Sequence, residues 1–196
     1  MRLVALFIVI LGFSFSTAQS QTQSLQVYVV DVEGGNATLF VGPTGESVLI
    51  DTGNGGVNAP RDAGRILDAA RDAGLTQIDH LITTHWHGDH FGGMAELASN
   101  IPIRAYYDPG PSVQGQPNTV AFLADVYPGL VAEASRTIVN PGDSISIDGL
   151  EWTIVTSGGD VIESNLAGGG GQNSYCSSFE SQGPDNGENA QSVGSH

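Results

Sequence analysis

The chain has 196 residues, long enough for one domain with a substantial core. It carries 21 Asp and Glu against 6 Lys and Arg, a formal charge of −15. A field of that sign opposes phosphate backbones and argues against nucleic acid as a partner.

Residues 1–18 have the pattern of a secretory signal: Arg2, an apolar run over residues 3–13, and Ser16-Thr17-Ala18 as a cleavage site. The run is too short for a comfortable membrane span, which needs about 20 apolar residues. The expectation is a secreted or periplasmic protein, cleaved after Ala18, with no membrane span thereafter. Residues 25–32 (LQVYVVDV) read as a strand. Residues 37–41 and 47–51 flank Gly42-Pro43-Thr44-Gly45 and predict a hairpin ending in Asp51-Thr52-Gly53. Residues 60–73 predict a helix, with Pro60 in the first turn, Ala63, Ile66, Leu67 and Ala70 on one face, and Gly74 as the stop. A strand over 78–84, a short helix over 94–99 and a strand over 103–107 follow. The helical pattern over 121–134 is expected to divide at Pro128-Gly129. Residues 137–139, 144–147 and 151–155 predict further strands, joined by Pro-Gly and Asp-Gly turns. The order is that of a layered α/β fold. The domain is expected over residues 19–162. The Gly/Ser/Asn-rich stretch 163–196 lacks the apolar content for a core.

The strongest chemical signal is Thr84-His85-Trp86-His87-Gly88-Asp89-His90, an H-x-H-x-D-H cluster just after a predicted strand. Imidazole and carboxylate suit zinc and similar divalent metals, manganese and iron included. His85 and His87 alternate on an extended segment and can converge on one ion. Asp89 and His90 lie beyond Gly88, whose freedom is expected to bend the backbone sharply. One or two metals therefore fit the spacing. A zinc-bound water loses its proton near pH 7 and can attack a carbonyl or phosphoryl centre. Asp89 could also orient that water and carry its proton. Asp51, closing an apolar strand, either fixes the tautomer of a ligand histidine or caps a turn. His80, inside a strand, reads as structural. Trp86 either lines the substrate mouth or packs. Cys176 has no disulfide partner and reads as a free thiol or a small buried hydrophobe.

Residues 84–93 (THWHGDHFGG) and Leu49-Ile50-Asp51-Thr52-Gly53 resemble the metallo-β-lactamase superfamily. Residues 27–38 (VYVVDVEGGNAT) resemble its branch related to the hydrolase domain of bacterial competence, or DNA-uptake, proteins. The resemblance implies an αββα sandwich with metals at the sheet edge. It implies that His85 and His87 bind a first metal, Asp89 and His90 a second, and that Asp51 fills a structurally important acidic position. It also implies hydrolysis of a small-molecule, ester or phosphoester substrate, within a superfamily that acts on β-lactams, thioesters, lactones, phosphodiesters and nucleic acids. Family members complete the site with a later His, a bridging Asp and a final His. Here the late Asp160 and Asp185 do not end apolar strands. Residues 188–195 resemble the start of the segment leading to the bridging Asp. The expectation is thus the N-terminal part of the fold. A competing expectation is a non-catalytic fragment with weak metal binding or a binding partner. The sequence specifies no oligomeric state.

Overall fold

The computed structural model describes residues 24–180 and 182–196; the expected signal at residues 1–18 lies outside them. In chain order come β1 (Gln26–Val29), β2 (Thr38–Val41), β3 (Ser47–Ile50), α1 (Ala59–Asp72), β4 (Ile78–Ile82), α2 (Gly88–Phe91), α3 (Met94–Ala98) and β5 (Ile103–Asp108). Then follow α4 (Pro117–Ala121), α5 (Tyr127–Leu130), β6 (Ser135–Ile138), β7 (Ser144–Ile147), β8 (Leu150–Ser157), β9 (Asp160–Val161) and β10 (Gly194–Ser195). One sheet has the order β1-β2-β3-β4-β5-β6, antiparallel from β1 to β3 and parallel from β3 to β6. A second sheet has the order β10-β8-β7, with β9 also on β8.

Alternation along the strands divides the interior in two. Leu39, Leu49 and Leu81 face Ala63, Ile66 and Ala70 of α1 and Met94 and Leu97 of α3. Their neighbours Val48 and Ile82 face Ile145, Ile147 and Ile154 of the second sheet. The central strands are covered on both faces, which is why they read as nearly continuous apolar runs. The layers are helix, sheet, sheet, in line with the first three layers of the expected αββα arrangement. Among the described residues no α-helix follows Leu130. No helix among them is long and apolar enough to cross a membrane.

Several expectations need correction. The strand expected over 25–32 stops at Val29. The chain then turns through Glu33, which has a left-handed φ of 63°. The helical pattern expected over 121–134 begins earlier, with Pro117 in the first turn, and ends at Leu130. It does not break at Pro128. Instead residues Phe122–Val126 form a wide π turn, in which Tyr127 N–H donates to Phe122 C=O five residues back. Pro128 has no N–H to donate, and the wider turn absorbs the missing bond. Residues 188–195 are not a coreless tail. Val193 is buried between the sheets, Glu188 is fully buried, and β10 pairs with β8. One apolar residue among Gly and Ser carries no periodicity, so this return was invisible in the pattern. Residues 163–180 are mostly exposed, as expected, and so is Cys176.

Candidate functional site

β3 and β4 are adjacent and parallel, so the segments leaving them emerge at the same sheet edge. Asp51 follows β3, and the H-x-H-x-D-H loop follows β4. Asp51 is 1% exposed and adopts a left-handed φ of 62°, a costly conformation for a residue with a side chain. Its Oδ1 accepts Thr84 N–H at 2.7 Å. Its Oδ2 accepts Thr84 Oγ1–H at 2.8 Å, the Asn36 amide at 3.1 Å and His90 Nδ1 at 2.8 Å. Asp51 therefore accepts from a histidine, one of the two expected roles, and instead of capping a turn it ties two loops together.

Gly88 does not act as expected. It opens α2 with φ outside the left-handed region, and a Cβ there would meet nothing within 4 Å. The glycines that the loop requires are Gly35, Gly92 and Gly93. A Cβ on Gly35 would collide with the Asp89 carbonyl, on Gly92 with Gly55 and Gly88 backbone, and on Gly93 with the Thr52 carbonyl. Trp86 packs rather than lining a mouth. It is 1% exposed, its Nε1–H donates to Gly110 O at 2.6 Å, and Phe91 and Tyr127 stand edge-on to its ring. His80 is structural, paired with Tyr107 OH at 3.1 Å and Glu46 at 2.8 Å.

Sequence reasoning missed Glu188. Its carboxylate accepts Trp86 N–H at 3.1 Å, Ser112 Oγ–H at 2.8 Å, Val113 N–H at 3.0 Å and Gln114 N–H at 3.4 Å. Burial alone would raise its pKa. The hydrogen bonds from Ser112 and the three backbone amides outweigh burial and hold the pKa below the usual 4.5. A depressed folded pKa stabilises the fold above the ordinary value, and that stability is lost as pH falls through the folded value. Urea unfolding of wild type between pH 6 and pH 3 should therefore show a decline that is shallower in Glu188→Gln. Equal slopes in the two proteins would refute this role.

The three rings cluster closely: centroids are 4.0 Å apart for His85 and His90, and 4.8 Å for His85 and His87. His85 is 5% exposed. Burial, and then the nearby His90, hold its pKa below the ordinary value. For His90, burial works against protonation, but the hydrogen bond and charge of Asp51, with the charge of Asp89, prevail and raise the pKa. The side chains of His90 and Asp89 are 21% and 43% exposed, with Nε2 and Oδ2 3.8 Å apart.

Counting donors assigns the tautomers. His85 Nδ1 lies 3.1 Å from Thr84 Oγ1 and 3.3 Å from Ser192 Oγ. Both hydroxyl protons are committed elsewhere, to Asp51 and to Asn189 O. His85 Nδ1 must therefore donate, which leaves a lone pair on Nε2. His87 Nε2 donates to Gln114 Oε1 at 3.0 Å, which leaves a lone pair on Nδ1. These two lone pairs face each other across 3.1 Å. Two nitrogens bound tetrahedrally to one zinc at about 2.0–2.1 Å stand roughly 3.3 Å apart. The pair thus fits a shared cation in spacing and chemistry. It does not make a complete site: among the described residues no group of three or more His, Cys, Asp or Glu side chains is placed to hold a metal ion.

Residues 30–161 match the sequence model of the Metallo-beta-lactamase superfamily. Similar curated proteins include the lactamase-like protein notP of Aspergillus sp., 35% identical over 112 residues, which are 56% of this chain and 32% of notP. Thioesterase pkgB of Emericella nidulans is 32% identical over 113 residues, 57% of this chain and 30% of that protein. Among solved structures, MEM-A1, a subclass B3 metallo-beta-lactamase from a soil metagenome library, aligns with a TM-score of 0.46 and 26% identity. That alignment covers 67% of this chain and 50% of MEM-A1. The chain thus spans about a third of these curated relatives and half of that structure.

Proposed function

The chain belongs to the metallo-beta-lactamase superfamily, and from that premise we propose that it serves a secreted or periplasmic metal-dependent hydrolase acting on a small carbonyl substrate. The observation that carries this reading is the 3.1 Å approach of His85 Nε2 to His87 Nδ1, the two nitrogens to which the donor count assigns lone pairs. These nitrogens would hold a first zinc, with manganese or iron as alternatives. Asp89 and His90 Nε2, 3.8 Å apart, would be the ligands of a second ion. When bound, such an ion lowers the pKa of water toward 7 and polarises a carbonyl oxygen. Asp89, whose carboxylate is 43% exposed, would orient that water and carry its proton. Asp51 holds His90 through Nδ1, which leaves Nε2 turned toward Asp89.

The thioesterases among the similar proteins favour a thioester over a phosphodiester, and the charge of −15 disfavours nucleic acid. Secretion rests on residues 1–18, and kinship with the competence branch on residues 27–38. A second reading, metal binding without turnover, is favoured by the lack of a third converging ligand among the described residues. Titration of the purified chain with zinc, followed by a small aryl thioester assay, separates the two. Wild type should bind zinc and hydrolyse the thioester. His87→Ala should lose more than the roughly 10–100-fold in affinity that follows removal of an orienting partner. Zinc binding without hydrolysis would establish the second reading. No zinc binding by wild type would overturn both.

A further inference from the structure

Gln114 and Glu188 stand outside the motif, yet together they govern which nitrogen His87 presents. Gln114 Oε1 meets His87 Nε2 at 3.0 Å and also accepts the Gln116 amide at 3.3 Å, which fixes its oxygen toward the ring. The Gln114 side chain is exposed. Its backbone is placed by Glu188, whose Oε2 accepts the Val113 and Gln114 amides while Oε1 accepts Trp86 N–H. One fully buried carboxylate thus pins the residue before His87 and the loop that carries Gln114.

We propose that Gln114 and Glu188 are positioning residues that hold His87 with Nε2 protonated and Nδ1 turned toward His85 Nε2. This rests on the metal-site reading above for its purpose, although not for its geometry. A histidine with both nitrogens in solvent samples both tautomers and several ring orientations. An acceptor on one nitrogen selects the tautomer and raises the basicity of the other. Asp51 does this for His90, and Thr84 with Ser192 for His85. Gln114 completes the set for His87. Its amide oxygen is a neutral acceptor, so it orients the ring without adding charge to the cluster.

The test reads the rings directly. Imidazole 15N spectra of the metal-free full chain should show His87 as the Nε2–H tautomer in wild type. Gln114→Ala should give a mixture, whereas Gln114→Glu, which retains an acceptor, should keep the wild-type tautomer. Glu188→Gln should broaden or mix the His87 signals while leaving those of His90 unchanged. Zinc titration by calorimetry should show affinity falling about 10–100-fold in Gln114→Ala, with recovery in Gln114→Glu. An unchanged His87 tautomer in both Gln114→Ala and Glu188→Gln would overturn the proposal whatever zinc does. Should wild type bind no zinc while the tautomer shifts as stated, the positioning role stands and the metal reading falls. Gln114→Ala carries the test if Glu188→Gln does not fold.

Discussion

Asp51→Ala is expected to lower the unfolding free energy by about 3–5 kcal/mol, the range for removing one partner of a buried charged network. The carboxylate is 1% exposed and serves Thr84, Asn36 and His90 together. Alanine leaves the Thr84 amide without its acceptor, and leaves Asn36 and His90 Nδ1 only their longer contacts to Ile50 O at 3.4 Å and Thr84 Oγ1 at 3.3 Å; an unmade donor costs about 1–3 kcal/mol. It also keeps a Cβ at φ 62°, where aspartate and asparagine are tolerated better than alanine. Asp51→Asn should therefore lose less, because its amide oxygen can still accept from Thr84 while its NH2 faces the His90 side. Urea denaturation of the three proteins at one pH measures this order. A loss below about 1 kcal/mol in Asp51→Ala would show that the two loops hold together without the carboxylate.

Gly93→Ala should be comparably damaging, by about 2–4 kcal/mol or by failure to fold. The added Cβ would run into the Thr52 carbonyl, a backbone atom that no rotamer change can move aside. Thr52 in turn receives its own restraint from His90, whose carbonyl accepts Thr52 N–H at 2.7 Å and Oγ1–H at 3.1 Å. Displacing Thr52 therefore drags the loop that carries His90. Gly88→Ala is the control, four residues before the first of the paired glycines and inside the motif. A Cβ there meets open space, and alanine is favoured over glycine in a helix by up to about 1 kcal/mol. Thermal unfolding should place Gly88→Ala at or above wild type and Gly93→Ala well below it. Equal losses at the two positions would mean that close approach is not what selects glycine here.

That contrast shows what the sequence could and could not convey. The motif spacing made Gly88 conspicuous, yet the steric demand falls on Gly92 and Gly93, whose added Cβ atoms would meet Gly55 and Thr52 on a different loop, and at Gly92 the Gly88 carbonyl as well. Features written in local pattern were readable: the α1 stripe of Ala63, Ile66 and Ala70 with its terminal Gly74, the buried runs of β3 and β4, and the ligand-type residues of the loop. The expected helix over 121–134 was partly wrong because a π turn depends on where Pro128 falls against the carbonyl register, which hydrophobic spacing does not encode. Glu188 and Gln114 were unreadable for a different reason. Glu188 is 102 residues from Trp86 and 74 from Gln114 in sequence, and a buried carboxylate that neutralises backbone amides leaves no periodic mark.

The same separation sets the order in which the molecule can assemble. The backbone of the histidine loop is closed by residues that follow it at long range: Val193 N–H donates to Thr84 O at 2.8 Å, and Ser192 reaches His85 across 107 residues. At translation speeds of about 5–20 residues per second, the histidine loop emerges roughly 5–20 s before the segment that closes it. During that interval the histidine loop lacks the contacts of Ser192 and Val193. Under the metal reading proposed above, a cation arriving early would meet a looser pair of histidines than one arriving late.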